Sequence, residues 1–126
     1  MKSVREALDA GIDINCTGSN NDTALHVASI NGEIHVVKLL VEAGAKINEK
    51  SKSGQTPLML AASGGHYHPI FIGGNELCVE YLISKGARIE AKSESGLTAL
   101  MCAAKNGKSA MLKILVAKGA QIEGNI

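Results

Sequence analysis

The residues that come nearest to a metal-binding pattern are two histidines, His66 and His68, near the middle of the chain. In an extended segment alternate side chains share a face, so the two imidazole rings could hold a metal ion together. A zinc site needs three or four ligands, and no Cys, Asp or Glu occurs between residues 66 and 74. The sequence therefore favours surface or hydrogen-bonded histidines over a metal pair, and we predict no metal and no cofactor.

The other reactive side chains are three cysteines, and none of them belongs to a catalytic pattern. Cys78 and Cys102 lie in apolar stretches with helical spacing, which favours a buried or half-buried apolar role over that of a nucleophile. The chain also lacks a Gly-x-Ser-x-Gly elbow, a Walker glycine loop and a His-Glu-x-x-His motif. We therefore predict that this protein is not an enzyme.

Composition narrows the class of partner. Of the 126 residues, 13 are Lys or Arg and 12 are Asp or Glu, a balance without the basic excess that draws proteins to nucleic acid. No stretch approaches the roughly 18 apolar residues of a membrane-spanning helix, so no membrane partner is expected.

The charged first residues do not fit a signal peptide, and unpaired cysteines suit a reducing compartment. The sequence predicts a cytoplasmic protein, and a signal peptide removed beforehand remains open as the alternative.

The elements that must position any functional residue are revealed by an internal repeat. One phrase occurs at residues 23–28, 56–61 and 98–103, as TALHVA, TPLMLA and TALMCA. Each copy is followed by an apolar run that ends in Gly-Ala, at residues 44–45, 86–87 and 119–120. From Thr23 to Thr56 is 33 residues, whereas from Thr56 to Thr98 is 42. The second interval is therefore nine residues longer than the first.

Each repeat has the signals of two short helices. The leading threonine can accept a hydrogen bond from an unpaired backbone N–H and so cap the first helix, and Pro57 stands where its missing N–H costs nothing. Glycine then allows the left-handed conformation that ends a helix, and Gly44, Gly86 and Gly119 are placed to stop the second helix of each unit. The pattern predicts pairs of short helices.

These phrases resemble the ankyrin repeat, whose period is 33 residues and whose signature begins Thr-Pro-Leu-His. The resemblance implies an all-α repeat solenoid of helix–turn–helix units joined by short β-hairpins, in a single domain of residues 1–126. Its units are a partial N-terminal capping repeat at 1–17, a repeat at 18–50, a repeat at 51–92 and a C-terminal repeat at 93–126. Only His26 keeps the histidine of the phrase, because Met59 and Met101 replace it, which removes two expected hydrogen bonds between repeats.

The nine extra residues form a predicted insertion at 66–74, between the two helices of the second full repeat. Its apolar side chains are unusual for a loop, because exposed apolar surface has no partner in water. They are Tyr67, Ile70, Phe71 and Ile72. Two explanations stay open: these side chains fold back over the solenoid, or they anchor a partner.

The resemblance further implies a concave face, made of hairpin tips and first helices, that binds other proteins. The corresponding residues outside the insertion are Ile30, Asn31, Lys52, Gln55, Glu94, Leu97 and Lys105. Ile30 and Leu97 stand out because neither has an evident packing role. We predict a non-catalytic protein-binding module, monomeric when alone. The narrower alternative is an inhibitor that occludes or inactivates a partner enzyme.

Overall fold

The computed structural model describes residues 14–18, 20–64 and 74–119. Six α-helices lie in these ranges, and no strand occurs there. They are α1 (Ala24–Ile30), α2 (Ile34–Glu42), α3 (Pro57–Ser63), α4 (Gly74–Ser84), α5 (Ala99–Lys105) and α6 (Ser109–Ala117). The all-helical solenoid expected from the sequence is confirmed.

The first helix of every unit is capped as the sequence predicts. Thr23, Thr56 and Thr98 have extended backbones, and each hydroxyl accepts a hydrogen bond from the backbone N–H three residues later. Such a cap stabilises a helix by about 1 kcal/mol relative to alanine. Pro57 occupies the first position of α3. A backbone N–H at that position has no acceptor within the helix, so the lack of one in proline breaks no hydrogen bond. Local sequence therefore fixes where the inner helices begin.

The second helix of every unit ends at a glycine. Gly44, Gly86 and Gly119 have φ values of 100°, 100° and 98°, in the left-handed region that side chains disfavour. The prediction that these three glycines stop the helices is confirmed. The chain can turn there and start the connection to the next unit.

The helices stack in two rows. The inner row is α1, α3 and α5, and the outer row is α2, α4 and α6; each helix packs against its neighbours in its own row and against its partner in the same unit. Small residues such as Ala61, Ala62 and Ala103 are fully buried between the inner helices and let them approach closely. The core is thus a thin, continuous layer that runs through all three repeats.

The connections between units are held by hydrogen bonds that repeat along the stack. The carboxamide of Asn48 donates to the carbonyl oxygen of Gly86 at 3.1 Å and accepts from the backbone N–H of Arg88 at 2.8 Å. Asn15 makes the equivalent pair one unit earlier, with the carbonyl oxygen of Gly44 and the N–H of Lys46. These asparagines set the spacing between successive repeats.

Helix α4 begins at Gly74, the last residue of the predicted insertion. The rest of that insertion lies outside the described residues. The expectations for His66, Tyr67, His68, Ile70, Phe71 and Ile72 therefore remain predictions.

Candidate protein-binding surface

The hairpin tips of the three repeats meet at one concavity of about 360 Å³. Its lining is polar and comes from three successive tips: Asn20, Asp22, Ser51, Lys52, Ser53, Gln55 and Glu94. Three of the predicted binding residues, Lys52, Gln55 and Glu94, are among them. The concavity can offer carboxylates, an ammonium group, hydroxyls and amides to a partner.

Hydrogen bonds between backbones hold the tips in register. The N–H of Lys52 donates to the carbonyl oxygen of Asn20 at 2.8 Å, and the N–H of Glu94 donates to that of Ser53 at 3.0 Å. Each tip is therefore tied to the one before it. The exposed side chains of Lys52 and Glu94 therefore project from tips that are hydrogen-bonded to their neighbours, not from independent loops.

Each of the last two tips is a tight turn with the same internal bonds. In the second tip the N–H of Ser51 donates to the carbonyl oxygen of Gln55 at 2.9 Å, and the hydroxyl of Ser51 accepts from the N–H of Gln55. In the third tip Ser93 and Leu97 make the same two bonds. Gln55 and Leu97 therefore hold equivalent positions, immediately before the threonine cap of the next helix.

His26 connects the first repeat to the second tip. Its Nδ1 accepts from the N–H of Thr23 at 3.1 Å, so Nε2 carries the proton and donates to the carbonyl oxygen of Gln55 at 3.0 Å. The ring is fully buried. This bond between repeats matches the structural role that the sequence assigns to His26, and it fixes the backbone of a residue that lines the concavity.

The remaining predicted residues are distributed along the inner helices. Ile30 is 38% exposed at the end of α1, Asn31 follows it as the exposed C-cap, and Lys105 is exposed at the end of α5. Leu97 is half-buried and packs against the core. The premise that Leu97 lacks a packing role is therefore wrong, since it helps to seat the third tip on the inner helices.

One important residue was missed in the sequence. Asn75, only 6% exposed, places its Nδ2 at 3.3 Å from the carbonyl oxygen of Ser29 and at 3.2 Å from those of Ile30 and Ala61. It thus joins the start of α4 to the C-terminal end of α1 and to the middle of α3. The equivalent positions in the other repeats are Glu33 and Lys108, so a change of residue type directly after the insertion was the available signal.

The backbone around Asn75 leaves no room for larger residues. A Cβ atom on Gly64 would overlap the carbonyl oxygen of Ile30, and one on Gly32 would lie 2.5 Å from the Oδ1 of Asn75. Gly32 also has a φ of 68°. The end of the predicted insertion is therefore anchored directly beside Ile30.

The cysteines have the structural surroundings expected of them. Cys78 and Cys102 are buried, and Cys16 is exposed. Burial, with a contribution from the carboxylates of Glu33 and Glu76, raises the pKa of the Cys78 thiol to about 12. Burial also raises the pKa of Cys102, and Lys105 opposes that shift. Neither thiol has the lowered pKa of an activated nucleophile.

A family profile described as Ankyrin repeats (3 copies) matches residues 1–71 and 68–125. The chain belongs to the ankyrin repeat family. Ankyrin repeats are generally protein–protein interaction modules. The predicted architecture and the match agree over almost the full length of the chain.

Similar proteins contain ankyrin repeats in different contexts. The chain is 42% identical over 55 residues to the mouse fibronectin type 3 and ankyrin repeat domains 1 protein, a match that covers 44% of this chain and 16% of the relative. It is 43% identical over 54 residues to the zebrafish Notch-regulated ankyrin repeat-containing protein A, over 43% of this chain and 48% of the relative. The matched segments thus span less than half the length of these relatives.

A third relative has an enzyme name. The chain is 39% identical over 57 residues to serine/threonine-protein kinase 12 of Arabidopsis thaliana, a match that covers 45% of this chain and 12% of the kinase. Ankyrin repeats are typically non-catalytic, and no separate catalytic domain is evident in these 126 residues.

Among the described residues, no group of three or more His, Cys, Asp or Glu side chains could hold a metal ion. None of the described helices is long and apolar enough to cross a membrane.

Proposed function

We propose that this ankyrin-repeat chain is a non-catalytic module that binds a partner protein through its concave face and the 66–74 loop. The observation that carries the proposal is that three hairpin tips, held in register, line one shared concavity. A surface tied together by backbone hydrogen bonds loses little conformational entropy when a partner binds, which favours affinity. Free thiols support a cytoplasmic setting for this interaction.

The chemistry of the face favours a partner with mixed polar groups and one apolar contact. Asp22, Lys52 and Glu94 come from three successive tips and all line the concavity, so both signs of charge are present within one site. Ile30 adds an exposed apolar side chain, and Lys105 adds a cation at the equivalent position two repeats later. Charged groups of this kind determine orientation and specificity more than affinity.

The loop enters the proposal through Asn75. Because Asn75 anchors the start of α4 beside the carbonyl oxygen of Ile30, the chain leaves the loop next to the concave face. An apolar segment that begins and ends there could extend the binding surface with aromatic anchors, which are enriched at interface hot spots. The inhibitor alternative is based on the same segment, since an apolar loop suits the occlusion of an active site.

The concave face can be tested with two matched variants in the first repeat. Ile30→Glu places a charge on the proposed face, whereas His35→Glu places one on an exposed position of the outer helix α2. Both changes affect exposed residues, so both proteins should fold normally. Each protein is used to capture partners from a native extract. We expect the wild type and His35→Glu to capture the same partner proteins, and Ile30→Glu to capture at least tenfold less of them. Equal capture by all three proteins would contradict the assignment of the face.

A captured enzyme would allow the inhibitor alternative to be examined. Titration of its activity with the purified chain should then show complete loss at a 1:1 ratio if the chain is an inhibitor. Unchanged activity in a stable complex indicates a module that recruits its partner instead.

A further inference from the structure

Charge is distributed unevenly over the three helix pairs. The helices of the first repeat and their turn, residues 23–44, contain one Lys against two Glu, and those of the second repeat, residues 56–64 and 74–86, contain the same numbers. The helices of the third repeat, residues 98–119, contain four lysines and no acidic residue. They are Lys105, Lys108, Lys113 and Lys118, and we call these four residues the basic surface. The third helix pair thus differs in sign of charge from the other two.

The basic surface occupies positions that stay open in the middle of a stack. Lys113 corresponds to Glu80 and Lys118 corresponds to Lys85, and both residues of the second repeat are exposed although α4 has a neighbouring outer helix on either side. Three of the four lysines are themselves exposed, and Lys108 is half-buried. Positions 113 and 118 therefore stay accessible to a partner when a neighbouring repeat is stacked on the third.

The stability of α6 does not explain Lys108. This residue occupies the N-cap of α6, and its side chain makes no capping hydrogen bond. The positive end of a helix dipole lies at its N-terminus, so a cation is unfavourable there and a carboxylate is favourable. The first repeat has Glu33 at the equivalent N-cap. A lysine that opposes the dipole points to a role outside the folding of its own helix.

The four lysines are spaced closely enough to act on one partner. Lys108, Lys113 and Lys118 lie at the two caps and in the middle of α6, and each interval of five residues is about 7.5 Å along the helix axis. This distance is within the Debye length of about 8 Å at physiological ionic strength, so the potentials of neighbouring ammonium groups add. Lys105 brings the same sign of charge to the end of α5, three residues before Lys108.

The composition of the chain favours a protein partner over a nucleic acid or a membrane. Residues 93–126 contain no aromatic side chain, so they offer no platform for stacked bases and no aromatic anchor for a lipid interface. All four cations are lysines, which lack the planar fork with which arginine binds a phosphate group. Residues 1–92 carry nine Lys or Arg against ten Asp or Glu, so a long polyanion finds no continuous basic path. A short acidic segment fits this surface best.

We propose that the basic surface binds an acidic segment of a partner protein, in which Asp or Glu side chains pair with the four lysines. Helix α6 has nine residues and is about 13.5 Å long, so about four extended residues of the partner would span it. The protein class of the partner rests on the proposed function, whereas the surface is separate, because none of the four lysines lines the concavity of the hairpin tips. The contact is electrostatic, so it favours orientation and rapid association and weakens as salt is added.

Fluorescence anisotropy with a labelled oligoglutamate peptide tests this surface directly, at about 20 mM salt, where screening is weak. Lys113→Glu should raise the dissociation constant about five- to tenfold, because it replaces an attraction by a repulsion. Lys38→Glu is the matched control, since Lys38 is exposed at the equivalent position of α2 and the substitution changes the net charge of the chain equally. Its dissociation constant should stay close to that of the wild type.

A gain of binding gives the complementary test. Glu80 is exposed on α4, which packs against α6. Glu80→Lys extends the basic surface to the neighbouring helix and should lower the dissociation constant for oligoglutamate about fivefold. Glu42→Lys makes the same change of charge at an exposed position of α2 and should have a much smaller effect. Equal gains for both variants would contradict a surface located on the third repeat.

Lys108→Glu separates binding from folding. It should weaken the binding of oligoglutamate, as Lys113→Glu does. Its Tm should be equal to or above that of the wild type, because a carboxylate at the start of α6 interacts favourably with the helix dipole. A lower Tm would show that Lys108 serves the folding of the third repeat, which contradicts its assignment to the basic surface.

Three further results would overturn the proposal. One is a wild type that does not bind oligoglutamate at low salt. Another is an equal loss of binding in Lys113→Glu and Lys38→Glu, which would make the attraction a property of net charge. The third is tighter binding of single-stranded oligothymidine or of phosphatidylserine vesicles than of the peptide, weakened by Lys113→Glu, which would assign the surface to a nucleic acid or a membrane. Ile30→Glu keeps all four lysines, so its binding of the peptide tests this proposal independently of the concave face.

Discussion

Side-chain surroundings rather than residue type decide what the three cysteines of this chain can do. Cys16 is exposed, whereas Cys78 and Cys102 are buried in the helical core. The thiolate is the reactive form of cysteine, and a pKa of about 12 keeps Cys78 protonated across the neutral and mildly alkaline range. Local burial therefore separates one reactive thiol from two inert ones.

We predict that a thiol-specific reagent at pH 8 modifies one cysteine rapidly in the folded protein. Cys78 and Cys102 should react only after unfolding in guanidinium chloride, when all three thiols become accessible. The Cys16→Ser variant should show no rapid phase while keeping two thiols in denaturant. Rapid labelling of a second site in the native protein would mean that the core opens far more readily than its packing indicates.

Asn75 connects elements that are far apart in the sequence. Its three carbonyl acceptors belong to residues 46, 45 and 14 positions away, in two different inner helices. A buried amide of this kind satisfies helix carbonyl oxygens that would otherwise face apolar surroundings. It holds the start of α4 in place after the long connection from α3.

Asn75→Asp should be strongly destabilising, because it replaces a buried amide donor by a carboxylate that repels three carbonyl oxygens. We expect a loss of about 2–4 kcal/mol in the free energy of unfolding, measured by urea denaturation. Asn106→Asp is the control: Asn106 also donates to a carbonyl oxygen, that of Cys102 at 2.9 Å, but it is exposed. Its loss should stay below about 1 kcal/mol. Similar losses for both variants would show that Asn75 does not hold the elements together.

The contrast between Thr56 and Asn75 shows what could be predicted at the scale of elements. Thr56 caps α3 through a bond to the backbone N–H three residues later, so its role depends on adjacent sequence and was predicted correctly. The role of Asn75 depends on how two other helices are placed, and the sequence around Asn75 carries no information about that placement. Leu97 was misjudged for the same reason, because only the stacking of the third tip on the core gives it a packing role. Periodicity predicted the pairs of helices, and the resemblance to the ankyrin repeat implied the placement of Lys52 and Glu94, but neither predicted the contacts between units.

At the scale of the whole molecule, stability should depend on position in the stack. Each repeat of a solenoid contacts only its neighbours, so a middle repeat gains two interfaces and a terminal repeat gains one. Leu60 and Val27 occupy the same position in consecutive repeats, but Leu60 is 9% exposed and Val27 is 52% exposed. The same substitution should therefore have unequal effects at the two sites.

We predict that Leu60→Ala lowers the free energy of unfolding by about 2–4 kcal/mol, as expected for a large side chain removed from a packed core. Val27→Ala should lower it by less than about 0.5 kcal/mol, because the side chain is 52% exposed and removing it leaves no cavity. Leu39→Ala controls for side-chain size, since Leu39 is an exposed leucine at the same end of the stack. Urea denaturation at low micromolar concentration is the measurement. If Val27→Ala proved as costly as Leu60→Ala, the side chain of Val27 would have to be covered by another part of the chain.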